Sequence, residues 1–346
     1  MESFRENFNL SYFLQAFGIG LLVICLLFGW IEWRGNAYIQ NHWQSFEPES
    51  IEIDWTGIPE SDLARLLEKQ GEDLSLQKKP LDGANTQSFT KNTPYGPVPK
   101  ISEDGTTPFE AFRRPYSQPE ISAGFSLVSV VVLDYCQSEK SADLVIKRLP
   151  SNTSLTLNPY CDNLESVVSR ARKFGHEIWL GLPMETPGYP IDDLGPMALM
   201  VNDSVQSNRL KTQKIMARAT EYVGLVSYIK PLFTKSERDF TPVMNLIQTS
   251  GLAFFETNTV PDDYLLKLSR ATKLPFANAD IHIDKKMTEF DIKAQLLKLE
   301  RVASEQEYAI GFIQASPLAI NMVAEWTRTL PEKKLSYVPL SALAGY

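Results

Sequence analysis

The longest apolar run in the chain lies near its N-terminus, where Phe13 to Ile31 (FLQAFGIGLLVICLLFGWI) passes 19 residues without a charge. As a helix rising about 1.5 Å per residue it spans about 28 Å, the depth of a hydrocarbon core. Trp30 and Trp33 stand at its far end, where interfacial aromatics belong. The pattern predicts a single transmembrane helix over 13–31, preceded by a short tail over 1–12. A cleaved signal peptide is the rival. It would have a shorter apolar region, a basic head and a small-residue cleavage site, whereas the head here is the near-neutral MESFRENFNLSY and the far end reads Phe-Gly-Trp-Ile-Glu-Trp. Cys25 reads as apolar filler inside the helix, and Arg5 and Arg34 flank the span too evenly to orient it.

Beyond the anchor the pattern breaks up. Between Arg34 and residue 120 stand nine prolines and the polar stretch EKQGEDLSLQKKPLDGANTQSFTKNTPYGPVPK. Such a composition buries little apolar surface, so 32–120 is expected to be a tether with local structure, including a short capped helix from Ser61 to Gln70. From residue 127 short apolar runs alternate with helical stripes. The strands expected are 127–133, 154–158, 178–182, 222–228, 252–256, 280–283, 309–313 and 337–340. Leu164, Val167, Val168, Ala171 and Phe174 form one helical stripe that stops at Gly175; Phe240, Val243, Met244 and Ile247 form another that stops at Gly251; Ile292, Leu296 and Leu299 form a third. Strands separated by helices predict parallel βαβ units. The fold expected over 121–346 is an α/β fold, a distorted (β/α) barrel, with a doubly wound open sheet as the alternative. In either, functional groups belong just past the carboxyl ends of the strands.

Charge and composition narrow the function. The net charge is −8, with 34 Lys+Arg against 42 Asp+Glu and no basic run, which gives no footprint for a phosphate backbone and argues against nucleic acid. Three histidines (His42, His176, His282) and three cysteines restrict any transition-metal site.

Six blocks, PYGPVPKISEDGTTPFEAFRRPY (94–116), VVVLDY (130–135), SLTLNPYCDNLESVVSRARKFGHEIWLGLPMETPGYPIDDLGP (154–196), YVGLVSYIKPLFT (222–234), GLAFFETNT (251–259) and AIGFIQASP (309–317), resemble successive blocks of the divergent polysaccharide deacetylase family. The resemblance implies a distorted barrel on the periplasmic side of a bacterial inner membrane, related to metal-dependent enzymes that remove N-acetyl groups from cell-wall sugars. It also shows where this chain departs from the pattern. The family's Asp-Asp pair is Asp134 and Tyr135. Its histidine before Leu-Pro-Met is Gly181, and the one after Tyr-Val-Gly falls on Tyr228. The acidic-serine pair is Glu256-Thr257, and Gly-His-Pro reads Gly311-Phe312-Ile313.

A hydrolytic metal needs about three N or O ligands and an open position for water, which Asp134 alone does not supply. His176 beside Gly175 reads as a structural cap or a surface residue, and His282 as a packed or surface strand residue. A relocated site built from Asp134, Glu185, Glu256 and His282 is the enzyme alternative, although Glu185 at a strand end has an ordinary role accepting backbone N–H groups. No G-x-S-x-G elbow or phosphate loop supplies another chemistry. Tyr135, Tyr160, Tyr189 and Tyr228 make the strand ends aromatic, suited to a sugar ring, to a partner or simply to packing. The expected protein is a pseudo-deacetylase without cofactor, single-pass in the inner membrane with its C-terminal domain periplasmic. It would bind other envelope or membrane proteins, or a glycan. Cys136 and Cys161 lie three residues beyond two neighbouring strands, within reach of the ~5.5–6 Å Cα separation of a disulfide; two free buried thiols are the alternative.

Overall fold

A computed structural model describes residues 81, 85–116, 124–136, 138–192, 194–227, 231–260 and 263–345. The expected tail, transmembrane helix, Cys25, short helix over 61–70 and Tyr228 lie outside these residues. Among the described residues, no helix is long and apolar enough to cross a membrane.

The first strands and α-helix among the described residues are a two-stranded antiparallel ribbon, β1 (Thr90–Thr93) and β2 (Gly96–Pro99), and a short helix α1 (Pro108–Phe112). There follow β3 (Ser126–Leu133), α2 (Glu139–Arg148), β4 (Ser154–Leu157), α3 (Leu164–Lys173) and β5 (Ile178–Leu182). Next come α4 (Val205–Met216), β6 (Gly224–Ser227), α5 (Glu237–Thr249), β7 (Ala253–Glu256) and α6 (Asp263–Thr272). The chain ends with β8 (Phe276–Asn278), β9 (Ile281–His282), α7 (Glu289–Gln306), β10 (Tyr308–Gln314), α8 (Pro317–Arg328) and β11 (Leu335–Tyr337). Five helices start where a Ser or Thr side chain takes a free N–H of the first turn: Thr107, Ser138, Ser204, Thr288 and Ser316.

β3 to β11 form one parallel sheet of order β8-β7-β6-β5-β4-β3-β10-β9, with β11 beside the start of β3. The first and last strands of that order are consecutive in the chain. Asn278 and Ile281, three residues apart, cannot be more than about 11 Å apart at 3.8 Å per Cα step, so the sheet must curl until its edges meet. This excludes the open doubly wound alternative and gives a parallel half-barrel. The edge strand β9 is held to β10 by side chains as well as backbone. Asp280 N–H donates to the Ile310 carbonyl at 2.8 Å, while the Asp280 and Asp284 carboxylates accept the N–H groups of Ile310 and Gln314, each at 2.8 Å.

Alternation along the strands sorts two cores. Val128, Val130 and Val132 pack outward with Ala142, Val145 and Ile146 of α2. Leu127, Val131 and Leu133 face the other way, with Trp179, Val226, Phe255, Ile310 and Phe312. The indole of Trp179 fits inside because residue 224 is glycine; a Cβ there would run into that ring and the Ala253 carbonyl.

The inner core continues into residues expected to be tether. Phe89, Phe109 and Phe112 are buried with Leu127, Val338 and Leu340. Residues 85–116 therefore belong to the folded unit, and the expectation for 32–120 is corrected over that stretch. Pro97 and Pro99 concealed the ribbon from a composition reading. They sit in a two-stranded ribbon, where a missing N–H is tolerated on the free side.

The base of the sheet is closed by buried polar groups. The Glu177 carboxylate accepts from Ser154 Oγ at 2.7 Å, Trp179 Nε1 at 3.1 Å and the N–H groups of Arg114 and Ser341 at 3.1 and 3.0 Å, with Ser341 Oγ also on it. Arg172, buried over the Phe112 ring, pairs with Glu221 at 3.1 Å. Burial lowers the pKa of its guanidinium, and the Glu221 charge opposes that.

Candidate functional site

Asp134 follows β3 in the left-handed region (φ 51°) and is half-buried. A non-glycine residue there carries local strain, which makes the strand end a defined turn rather than a loose loop. Tyr135 turns the other way. It is completely buried, and its hydroxyl donates to the Val167 carbonyl of α3 at 3.2 Å. Burial raises its pKa, with the Arg170 charge opposing. It has no face to offer a ligand, which corrects its assignment as a contact residue; β-strand alternation had left its direction open beyond Leu133.

Gly181 lies inside β5, on the inward-facing register of Trp179, not at the strand's end. Glu185, three residues beyond the end of β5, is a brace. Its Oε2 accepts the Val201 N–H at 2.7 Å and its carbonyl accepts the Leu232 N–H at 2.7 Å, joining the loops after β5 and β6. Glu256 ends β7, almost fully buried, and its Oε1 accepts the Asn258 N–H at 3.2 Å. Beside it the Thr257 N–H donates to Ser227 Oγ at 2.8 Å.

His282 and Phe312 are neighbours on paired strands, with ring centroids 4.5 Å apart and nearly parallel. His282 Nε2 lies 3.2 Å from Asp284 Oδ1, whose side chain is fully buried. The two atoms are close but not aligned for a hydrogen bond, so the contact is a proximity of two polar groups beside the Phe312 ring. Asp284 escaped the sequence reading because it follows an unremarkable Ile-His-Ile run; the only available signal was an acid two residues from the last histidine. His176, at the opposite end of the sheet, is buried with Nδ1 2.9 Å from the Thr153 carbonyl.

The structure does not assemble the relocated metal site. Among the described residues, no three His, Cys, Asp or Glu side chains form a group that could hold a metal ion, so Asp134, Glu185, Glu256 and His282 are not one constellation. The reason is local hydrogen bonding. Glu185 and Glu256 are directed to local backbone donors, the N–H groups of Val201 and Asn258.

The rim beside this region is braced. Cys136 and Cys161 form a disulfide with a Cα separation of 6.3 Å, tying the turn after β3 to the loop after β4. Tyr160 lies across Gly195 (φ 83°), where a Cβ would come within 2.7 Å of Cζ, and its hydroxyl accepts the Met197 N–H at 2.9 Å. Met184 bridges Leu199, and Asn208 both accepts from and donates to the Met200 backbone. Asp239, whose burial works against its charge, is nevertheless held below the ordinary carboxylate range by Arg238, Ser236 and the Asn202 N–H. Tyr189 is about half exposed in this loop.

Residues 130–344 match the divergent polysaccharide deacetylases, and the chain belongs to that family. Among solved structures it is similar to an uncharacterized protein from Agrobacterium tumefaciens, 29% identical, with a TM-score of 0.68, over 72% of this chain and 99% of that one. A protein from Enterococcus faecalis linked by its description to cellobiose-phosphate cleavage is 13% identical, with a TM-score of 0.44, over 64% of this chain and 99% of the other. A mutant of a CE4-family pseudoenzyme with restored activity is 12% identical, with a TM-score of 0.39, over 64% of this chain and 68% of the other. No curated protein matches the chain.

Proposed function

We propose that this protein is a membrane-anchored pseudo-deacetylase of the bacterial envelope, a binding or scaffold protein that keeps the deacetylase fold without its chemistry. The observation that carries the reading is the employment of the strand-end residues. Tyr135 is a core residue, Glu185 is a loop brace and Phe312 is a stacking partner of His282. Each position has been taken over by packing. The apolar run over 13–31 supplies the anchor, and the Cys136–Cys161 disulfide suits an oxidising compartment such as the periplasm. Purified full-length protein in detergent, titrated with zinc and offered N-acetylglucosamine oligomers, is expected to release no acetate and to keep its melting temperature. Zinc-dependent acetate release overturns the reading.

One observation favours the second reading, an active deacetylase with relocated groups: His282 Nε2 and Asp284 Oδ1 stand 3.2 Å apart at the strand ends. In that case His282→Gln abolishes whatever acetate release is found.

A further inference from the structure

The loops after β4 and β5 carry a cluster of exposed apolar side chains: Tyr160 is 37% exposed, Tyr189 49%, Ile191 92% and Val205, opening α4, 49%. Scattered exposed apolar residues need no explanation, but these sit on neighbouring strands and on a braced platform. The braces are the disulfide at Cys161, the Met184–Leu199 bridge, Glu185 on Val201 and both Asn208 bonds to Met200. A loop pinned at both ends in this way has less ordering entropy to lose on docking than a free one.

The charges on these loops are acidic, and the first cation beyond them is Arg209, exposed on α4 one turn after Val205. From Pro183 to Asn208 the chain has Glu185, Asp192, Asp193 and Asp203 and no Lys, Arg or His. Two cations reach in from outside and are engaged there: Lys211 on Asp203 and the Ala198 carbonyl, Arg218 on the carbonyls of Pro159 and Cys161. Asp162, next to Cys161, and Asp192, next to Ile191, are exposed to solvent. Phosphate polymers and anionic lipid headgroups are repelled by such a surface. Sugar stacking uses aromatic faces, yet one face of Tyr160 is already laid on Gly195 and the most exposed side chain is aliphatic.

We propose that this rim docks a protein surface of the reverse polarity, apolar side chains set among lysines and arginines. The inference rests on the binding-protein reading and names its surface and partner class. The test uses full-length protein in nanodiscs with two labelled helical peptides, one of alternating Leu/Lys blocks and one with Glu in place of Lys. The Leu/Lys peptide is expected to bind and the Leu/Glu peptide not to. Ile191→Ser is expected to weaken binding about tenfold, the worth of one buried aliphatic side chain. Asp162→Asn with Asp192→Asn should weaken it and flatten its salt dependence. Leu297→Ser, at an apolar site on α7 that is 52% exposed, should change nothing. Equal loss from Leu297→Ser and Ile191→Ser, or none from either, overturns the proposal; so does binding of N-acetylglucosamine oligomers that Ile191→Ser abolishes. Zinc-dependent acetate release, scored separately, sinks the pseudoenzyme reading and leaves the rim result standing.

Discussion

Glu177 Oε1 accepts the backbone N–H of Ser341 at 3.0 Å, across 164 residues of sequence. The same carboxylate holds Arg114, Ser154 and Trp179, so one side chain joins the segment before the sheet, two strands and the C-terminal turn. In barrels, conservation of this end is a matter of stability, while the opposite end carries function.

Glu177→Ala is therefore expected to cost about 3–5 kcal/mol, because it strands several buried donors at once. Glu177→Gln should cost less, since its carbonyl keeps part of the acceptor role. Urea unfolding followed by tryptophan fluorescence measures both. An unchanged midpoint for the alanine variant would show that the base is held some other way.

Asp280 makes an opposite prediction. Burial raises its pKa, and the Ile310 N–H only partly counters this. A carboxyl raised on folding contributes stability that is full below its unfolded value, near 3.8, and that is lost as pH climbs through the folded value. Asp280→Asn removes the buried charge and keeps an acceptor for Ile310. Its melting temperature at pH 7 should equal or exceed that of the parent, and its advantage should vanish near pH 3. Asp280→Ala should be destabilised at both pH values, and a pH-independent gain for the asparagine variant would contradict the assignment.

The disulfide closes a separation of 25 residues, which the chain-entropy estimate puts at about 3 kcal/mol. A non-reduced digest should yield the linked Cys136–Cys161 peptide, and reduction should lower the melting temperature by several degrees. Alkylation of both thiols in unfolded, unreduced protein isolated from the envelope would count against the bond.

Protease added to intact spheroplasts should digest the domain beyond Arg34. Protection until lysis would place it on the cytoplasmic side.

Much of the fold was legible because its strands are runs such as Leu127–Leu133 and Ile178–Leu182, too apolar and too short for anything but a buried parallel sheet. β8 was not, since Phe-Ala-Asn is three residues long and holds no β-branched side chain. The expected strand at 337–340 ends at Tyr337, and the chain turns into a short 3-10 helix at Leu340. At the site, residue identities were legible but directions were not. Whether Tyr135 faces a ligand or α3 depends on the turn at Asp134, which no periodicity encodes.

The position of β3 has a consequence for synthesis. It lies between β10 and β4, with β11 against its first residues, so its fullest pairing is with a strand whose first residue comes 175 positions after Leu133. At about 5–20 residues per second that separation is roughly 10–35 s of elongation. Throughout that interval the apolar edge of Val128 to Leu133 waits for a neighbour that has not yet been translated. A ribosome-bound chain of this protein should therefore need chaperone cover until nearly its last residues emerge.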